Sequence, residues 1–493
     1  MSKTLSRSIW LFILTLALLV RVGVGIYWNS IVEKSANQST NPPSVSKDGP
    51  FFYGDSDSYW KLARTIAFGR PYEFDETRRW QIFRTPGYPA ILAPLFWIYG
   101  ETPPTFAARM EGAIFGTINV VLVGWLALTI FGKSDRGRLI ALLASLFVAL
   151  DPTEALQSVS ILSEEPFMTF SLLLNVEFVK TARRFGILPS SKTIPEDDKT
   201  PNALSSNDSL FPHSIKLAFF NAAAIYLRPS WYYFLPFASC FVLLVYVLSL
   251  LVRRRAEKLP SYAKRGLLKL GLCVVFAHLF TVALLLPWAL RNYRISGKLV
   301  ITTLQMGASL YDGLNPDATG ASEMSFVDRF RQDELNEPSD SEEVHFEVRL
   351  DKRMKSAAIE WANSHKFKVL KLACIKFYRL WSPTPREQSF SSPFLKFILF
   401  VSYAPILIFG LLGLLRTVRQ HDAAYFLVVP PLYISLLHIV FVSSIRYRVP
   451  VMYCFSILAS YLLASVVIKV VPEITRQMST SLAWAHESRN KNA

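Results

Sequence analysis

Asp55 and Asp57 stand two residues apart in FFYGDSDSYWKLA, just beyond a hydrophobic N-terminal segment. The residues that follow, with Tyr59, Leu62, Ala63 and Ile66 at helical spacing, put both carboxylates near a helix N-terminus. A carboxylate there can cap the helix, take a proton from a hydroxyl or, as a D-x-D pair, hold a divalent metal. A second acidic site, Glu164 and Glu165 in ALQSVSILSEEPFMTF, falls in a short loop between two apolar runs. Acids at that depth are costly unless used, the plain alternative being an N-terminal cap beginning at Ser163. Three arginine motifs complete the set: Arg228 in LRPSW, Arg291 in PWALRNYR, and Arg446 with Arg448 in SSIRYRVP. Each lies at the outer end of an apolar run, at the level of a lipid phosphate. Interfacial snorkelling accounts for any one of them, whereas three together point to an anion.

The elements that must position these residues are membrane helices. The chain has 493 residues, 51% hydrophobic and only 18% charged, with a mean hydropathy of +0.29, too apolar for an ordinary soluble domain. Apolar runs at 9–28, 106–131, 138–155, 166–183, 214–228, 231–252, 267–288, 395–415, 424–443 and 449–470 predict about ten transmembrane helices, and hence an all-α polytopic membrane protein. The net charge of +16 is divided among clusters at run ends, such as Lys133/Arg136/Arg138, Lys180/Arg183/Arg184 and Arg253/Arg254/Arg255. That pattern marks cytoplasmic loops and argues against a nucleic-acid surface. Both termini are then expected inside, with Arg476 in a cytoplasmic tail over 471–493.

Segment 85–100, TPGYPAILAPLFWIYG, is short for a crossing, and counting it as one would turn the basic loops outward. It is expected to be an interfacial or re-entrant helix. Two large outer loops follow, 29–105 and 289–394, within a membrane unit spanning 1–470. The polar insert at 185–213 has no apolar periodicity and is expected to be a disordered cytoplasmic loop. The four cysteines are scattered and form neither a metal motif nor a disulfide framework. No glycine-rich phosphate loop is present, which disfavours nucleotide substrates.

The stretches YGDSDSYWKLARTIAFGRPY, FRTPGYPAIL, ALDPTEALQSVSILSEEPF, LRPSW, PWALRNYRISGKLVITTLQMGASLYDGLNPDATG and RYRVP resemble, in order, the GT-C class of polyprenyl-phosphate-sugar-dependent membrane glycosyltransferases. The chain is similar to bacterial members related to protein O-mannosyltransferases and aminoarabinose transferases. The resemblance implies a GT-C-like fold with juxtamembrane helices. It implies Asp55 as catalytic base, Asp57 as its partner or a metal ligand, and Glu164 as the acidic residue of the second outer loop. Arg446 or Arg448 would hold the donor phosphate, with Arg228 and Arg291 as further candidates. Arg84, with Pro86 and Pro89, matches the R-x-P-x-x-P opening of a juxtamembrane helix. Tyr59, Arg84, Glu165, Tyr311 and Asp312 are candidates for the acceptor or sugar pocket, where Trp288 and Trp381 could stack on sugars. Val159 stands where protein mannosyltransferases usually carry an arginine.

The implied reaction is inverting transfer of a sugar from a polyprenyl-phosphate donor to a hydroxyl of a lipid, glycan or protein, on the outer face of a bacterial cytoplasmic membrane. Arginines can neutralise the leaving phosphate, so no cofactor is required, although a divalent metal on Asp55 and Asp57 is possible. The competing reading is a transporter or flippase of lipid-linked sugars, which should carry ionisable residues within its spans; here the charges are expected in loops. A glycan polymerase or ligase would need only arginines and a histidine base. His278 and His438, inside apolar runs, are expected to be hydrogen-bonded core residues.

Overall fold

A computed structural model describes residues 3–38, 54–74, 80–187, 209–252, 261–341, 344–385, 392–417 and 422–468, and all regular structure among them is helical. The chain runs through α1 (Lys3–Gln38), α2 (Gly54–Ala67), α3 (Gly87–Tyr99), α4 (Thr105–Phe131), α5 (Asp135–Leu150), α6 (Pro152–Ser158), α7 (Glu164–Arg184), α8 (Phe211–Leu227) and α9 (Phe234–Val252). It continues with α10 (Ser261–Ser296), α11 (Met306–Gly313), α12 (Phe326–Asn336), α13 (Phe346–Ser364), α14 (Lys366–Trp381), α15 (Pro393–Thr417), α16 (Val429–Val440) and α17 (Tyr453–Ile468).

A helix stands on each of the ten apolar runs. Five described helical segments are long and apolar enough to cross a bilayer by length and composition, and up to seven if each of two bent pairs is one span. The bends are 63° between α5 and α6 and 56° between Ile445–Val451 and α17. Large apolar side chains on α1 (Leu11, Phe12), α10 (Leu268, Leu279) and α15 (Phe397, Leu415) remain exposed, as in a protein whose solvent is lipid. This is a multi-pass membrane protein.

α7 falls short of the hydropathy of a lipid-facing span because it is the enclosed helix. Several of its polar groups are answered by protein: Asn175 donates to the Tyr453 hydroxyl (2.7 Å), Thr169 to Asn119 Oδ1 (2.6 Å), and Glu177 meets His213 (3.1 Å). α4 packs beside it and against α6 through two glycines. A Cβ at Gly112 would overlap the Ser158 carbonyl, and one at Gly116 would crowd Arg21 and Ser158. Gly112→Ala must push α6 away and is expected to cost about 2 kcal/mol, measured as a lowered midpoint of thermal unfolding in detergent.

At 13 residues, α3 is too short to span, in keeping with the interfacial helix expected there. Its Gly87 lies against the Tyr226 backbone, so α3 sits on the end of α8. The segment 289–394, expected as a loop, is largely helical: α10 continues to Ser296, and α11–α14 gather around Trp80, Ala308, Tyr311, Phe330, Leu350 and Met354. Most of the insert expected to be disordered (188–208), the Arg253–Arg255 cluster and the tail from 471 lie outside the described residues.

Glu347 of α13 clamps this layer to the loop before α3. Its carboxylate accepts the backbone N–H groups of Gln81 (2.7 Å) and Ile82 (3.1 Å). Burial pushes this carboxyl up to about 7, outweighing those N–H donors and Arg291. A carboxyl raised in the folded state stabilises below its unfolded value and loses that contribution as pH rises through 7. Glu347→Gln is therefore expected to flatten the fall in thermal stability between about pH 4.5 and 7.5, and to gain about 2 kcal/mol at pH 8.

Candidate functional site

Five charged side chains from five segments meet as an alternating chain. Asp55 comes from the first turn of α2, Arg84 from the loop before α3, and Glu164 from the first turn of α7. Arg228 terminates α8, where the following Pro229 turns the backbone extended, and Arg446 lies in a short 3-10 turn ahead of α17. Arg84 Nη2 meets Asp55 Oδ1 (2.5 Å), and Arg446 Nη2 meets Asp55 Oδ2 (2.7 Å). The other side of Arg446, Nε, meets Glu164 Oε1 (2.6 Å), which Arg228 also approaches at 3.0 Å. Three guanidinium groups against two carboxylates leave one net positive charge.

Aromatic faces hold the arginines in place. Arg84 lies over Tyr59, whose ring packs edge-on against Tyr88. Arg228 and Arg446 both lie over Tyr447, and the Tyr447 ring stacks on His438 at 4.5 Å. Cation–π contact and charge-assisted hydrogen bonds fix the direction of each guanidinium fork. Glu164 is closed off at 1% exposure, whereas Asp55 at 31% is the open member of the chain. Burial raises the Asp55 carboxyl, yet Arg84 and Arg446 outweigh it and hold the group well below the usual carboxylate range. Asp55 in turn lifts the Arg84 guanidinium against the pull of burial. Arg84 Nε, Arg228 Nη1 and Glu164 Oε2 are buried without a hydrogen-bond partner.

The loop that carries Glu164 is strained. Ile161 has φ of 52°, an expensive conformation for a β-branched residue, and Ser160 accepts a hydrogen bond from Ser56 Oγ (3.3 Å) that ties the loop to α2. Ser163 makes no side-chain cap, so Glu164 is held by arginines and not by a capping box.

The structure thus brings together Asp55, Tyr59, Arg84, Glu164, Arg228 and Arg446 and places the other candidates elsewhere. Asp57 turns away from Asp55, as residues two apart on a helix do, and pairs with Lys61 at 3.0 Å. Both Asp55 oxygens are engaged by arginines, and no group of three or more His, Cys, Asp or Glu that could hold a metal exists among the described residues. The D-x-D pair as folded fits arginine and lysine better than a metal. Glu165 accepts from Asn119 (2.8 Å), inside the membrane unit. Arg291 donates to the carbonyls of Gln81 (2.5 Å) and Tyr72 (3.1 Å). Arg448 donates to the carbonyls of Leu380 and Ser382 and lies over Tyr403. Tyr311 packs between Phe326 and Phe330, and Asp312 accepts from Ser322 (2.7 Å) and the Glu323 N–H (2.8 Å). Trp288 and Trp381 donate to the Thr302 carbonyl and Ser435.

The expectation that charge is confined to loops is corrected by Arg21. It lies fully buried within α1 and donates to the carbonyls of Val148 (3.2 Å) and Ala149 (3.4 Å), near Glu154, whose two carboxylate oxygens have no hydrogen-bond partner. Of the two histidines expected to be hydrogen-bonded core residues, His438 is one, its Nδ1 2.6 Å from the Val442 carbonyl, whereas His278 is half-buried and its Nδ1 makes no hydrogen bond. The place of His438 behind Tyr447 was not anticipated, nor was Tyr447 itself, although its position between Arg446 and Arg448 was the available signal.

The helical order matches the fold of solved oligosaccharyltransferase structures, in agreement with the GT-C-like fold that the sequence motifs imply. Over 96% of its length the chain matches the apo crystal structure of the oligosaccharyltransferase from Archaeoglobus fulgidus, at a TM-score of 0.54 and 15% identity. It matches AglB of the same organism, in complex with an inhibitory peptide and a dolichol-phosphate, at 0.52 and 14%. In both cases it spans 52% of that chain, about half its length. ArnT from Cupriavidus metallidurans bound to undecaprenyl phosphate gives a weak likeness, with a TM-score of 0.34 and 11% identity over 93% of this chain and 80% of that one. No protein-family model and no curated protein sequence matches the chain.

Proposed function

We propose that the protein transfers a sugar from a polyprenyl-phosphate donor to an acceptor hydroxyl at the outer face of a bacterial cytoplasmic membrane, with both termini inside. The observation that carries this reading is the arginine–carboxylate chain, with one open carboxylate and one uncompensated positive charge at the ends of the apolar helices. Asp55 takes the hydroxyl proton as the oxygen attacks the anomeric carbon. The bond from that carbon to the phosphate oxygen breaks on the opposite face, and the charge gained by the departing phosphate falls to Arg228 and Arg446. Retention needs a second carboxylate as nucleophile. Glu164 is closed off and held by two arginines, which favours inversion and gives it the role of positioning Arg446 and Arg228. No step requires a metal.

The matched archaeal structure contains a dolichol-phosphate, which agrees with a lipid-phosphate donor. The acceptor is a lipid, a glycan or a protein. We assign catalysis to the unit 1–470 and leave 471–493 as a cytoplasmic tail. The test uses purified protein in nanodiscs with radiolabelled polyprenyl-phosphate sugars and a membrane extract as acceptor. Label moving from donor to extract supports the reading. Donor crossing between leaflets without transfer would favour a flippase, the reading to which the buried Arg21 and Glu154 lend support.

A further inference from the structure

In this arrangement the base of the proposed reaction is not free. Asp55 spends one oxygen on Arg84 and the other on Arg446, and a carboxylate held between two guanidinium groups is a poor proton acceptor. Arg446 is also one of the two arginines that face the expected phosphate. The same cation is therefore required in two places.

We infer that Asp55 and the donor phosphate compete for the same arginines, so that binding of the donor phosphate draws Arg446 and Arg84 off Asp55 and frees it to act as base. Charge and geometry support the exchange. The five groups sum to one positive charge, which a single phosphodiester anion neutralises. Arg84 Nε is a buried donor without a hydrogen bond, and Arg228 Nη1, 3.0 Å from Glu164 Oε1, makes an ion pair but no hydrogen bond; the two flank the chain at its ends. Asp55 is the one carboxylate open enough for ligand to displace its partners, Glu164 being shut in behind it. Arg84, assigned from sequence to the acceptor or sugar, becomes a positioning residue that first masks the base and then turns to the phosphate. The consequence is an order of events: the acceptor hydroxyl meets an active base only after the donor is in place, which protects a water-exposed site from idle chemistry. No covalent step is added to the proposed transfer, on which this inference rests.

Competition for shared arginines makes an uncommon demand, that removing the catalytic carboxylate should tighten binding of the lipid phosphate. Undecaprenyl phosphate, with undecaprenol as the control lacking phosphate, is titrated into nanodiscs holding wild type, Asp55→Asn, Asp57→Asn, Arg84→Gln and the double variant Asp55→Asn/Arg84→Gln. Thermal unfolding of each verifies the fold. Asp55→Asn is expected to bind about tenfold tighter than wild type, the equivalent of about 1.4 kcal/mol. Asp57→Asn, which removes the same charge two residues away but frees only Lys61, is expected to stay within about twofold. Arg84→Gln is expected to bind several-fold more weakly and to shrink the gain from Asp55→Asn in the double variant, the mark of a shared partner. Equal tightening by Asp55→Asn and Asp57→Asn would show bulk charge alone and overturn the inference, as would unchanged or weaker binding by Asp55→Asn. Folded proteins that all bind undecaprenyl phosphate no better than undecaprenol would remove the donor reading itself, and this inference with it.

Discussion

Asp55→Asn is expected to lower kcat for sugar transfer about a thousandfold, within the 10²–10⁴ range that general-base catalysis contributes. Asparagine keeps the size of the side chain and one hydrogen-bond acceptor for an arginine, but it cannot take a proton. The rate falls while the donor still binds, so the loss lies in kcat and not in KM. Asp57→Asn, facing Lys61 on another side of α2, is expected to retain transfer within a few-fold. The measurement is single-turnover transfer at saturating donor for both variants. A loss of less than tenfold in Asp55→Asn would remove Asp55 from the proton transfer. The pH dependence follows from the same contacts. Because its two arginines hold the Asp55 carboxyl low in the folded state, its contribution to stability is complete above the unfolded value of about 3.9. That contribution is lost only as pH falls through the depressed folded value. At neutral pH Asp55 is therefore ionised.

Arg446→Gln is expected to be the most destabilising single change at the site, by about 3 kcal/mol. Arg446 is the central cation, bonded to Asp55 on one side and Glu164 on the other, and so joins α2 to α7. Without it two acids must share two end arginines, and Glu164, almost without access to water, keeps only the off-angle approach of Arg228. A broken ion pair costs more than the pair was worth because the remaining charge is left desolvated. Thermal unfolding in detergent gives the cost, and a cycle with Glu164→Gln isolates the coupling. The double variant is expected to recover a good part of the loss, since it removes the stranded acid together with its partner. Arg446→Lys is expected to recover less than the conserved charge suggests, because an ammonium cannot face two carboxylates with a planar fork. If Arg446→Gln unfolded at the wild-type temperature, the central role of this residue would be wrong.

Much of the architecture was legible along the chain. Each apolar run expected to be a span carries helix, although 138–155 is split by a 63° bend and 424–443 opens with a 3-10 turn, and five to seven spans, not ten, are long and apolar enough to cross among the described residues. The short α3 was set apart from the expected spans by its length and by the basic loops that one more crossing would turn outward. The segment 289–394 was harder. Its helices α12 and α13 bury few residues each and draw their stability from packing on Trp80 and Tyr311, contacts distant in sequence. Arg21 was overlooked because one charge in a strongly apolar run hardly alters its average, and only its burial against the Val148 and Ala149 carbonyls shows where it goes.

The sequence by itself determined the class of solvent, the helices and the supply of acids and arginines at their ends. These follow from composition and periodicity, which are local properties of a chain. Tertiary structure alone decided which of those groups meet. Arg291 and Arg448 had the same local signature as Arg228 and Arg446, yet the first two are engaged by backbone carbonyls and the last two by Asp55 and Glu164. Asp55 and Asp57, near neighbours in sequence, part company because a helix turns about 100° per residue. The pairing of Asp55 with Arg446 joins residues 391 positions apart. No local pattern encodes such a contact; it is fixed by the packing of α2, α7 and α8 and by the turn before α17, which set where each long side chain can reach.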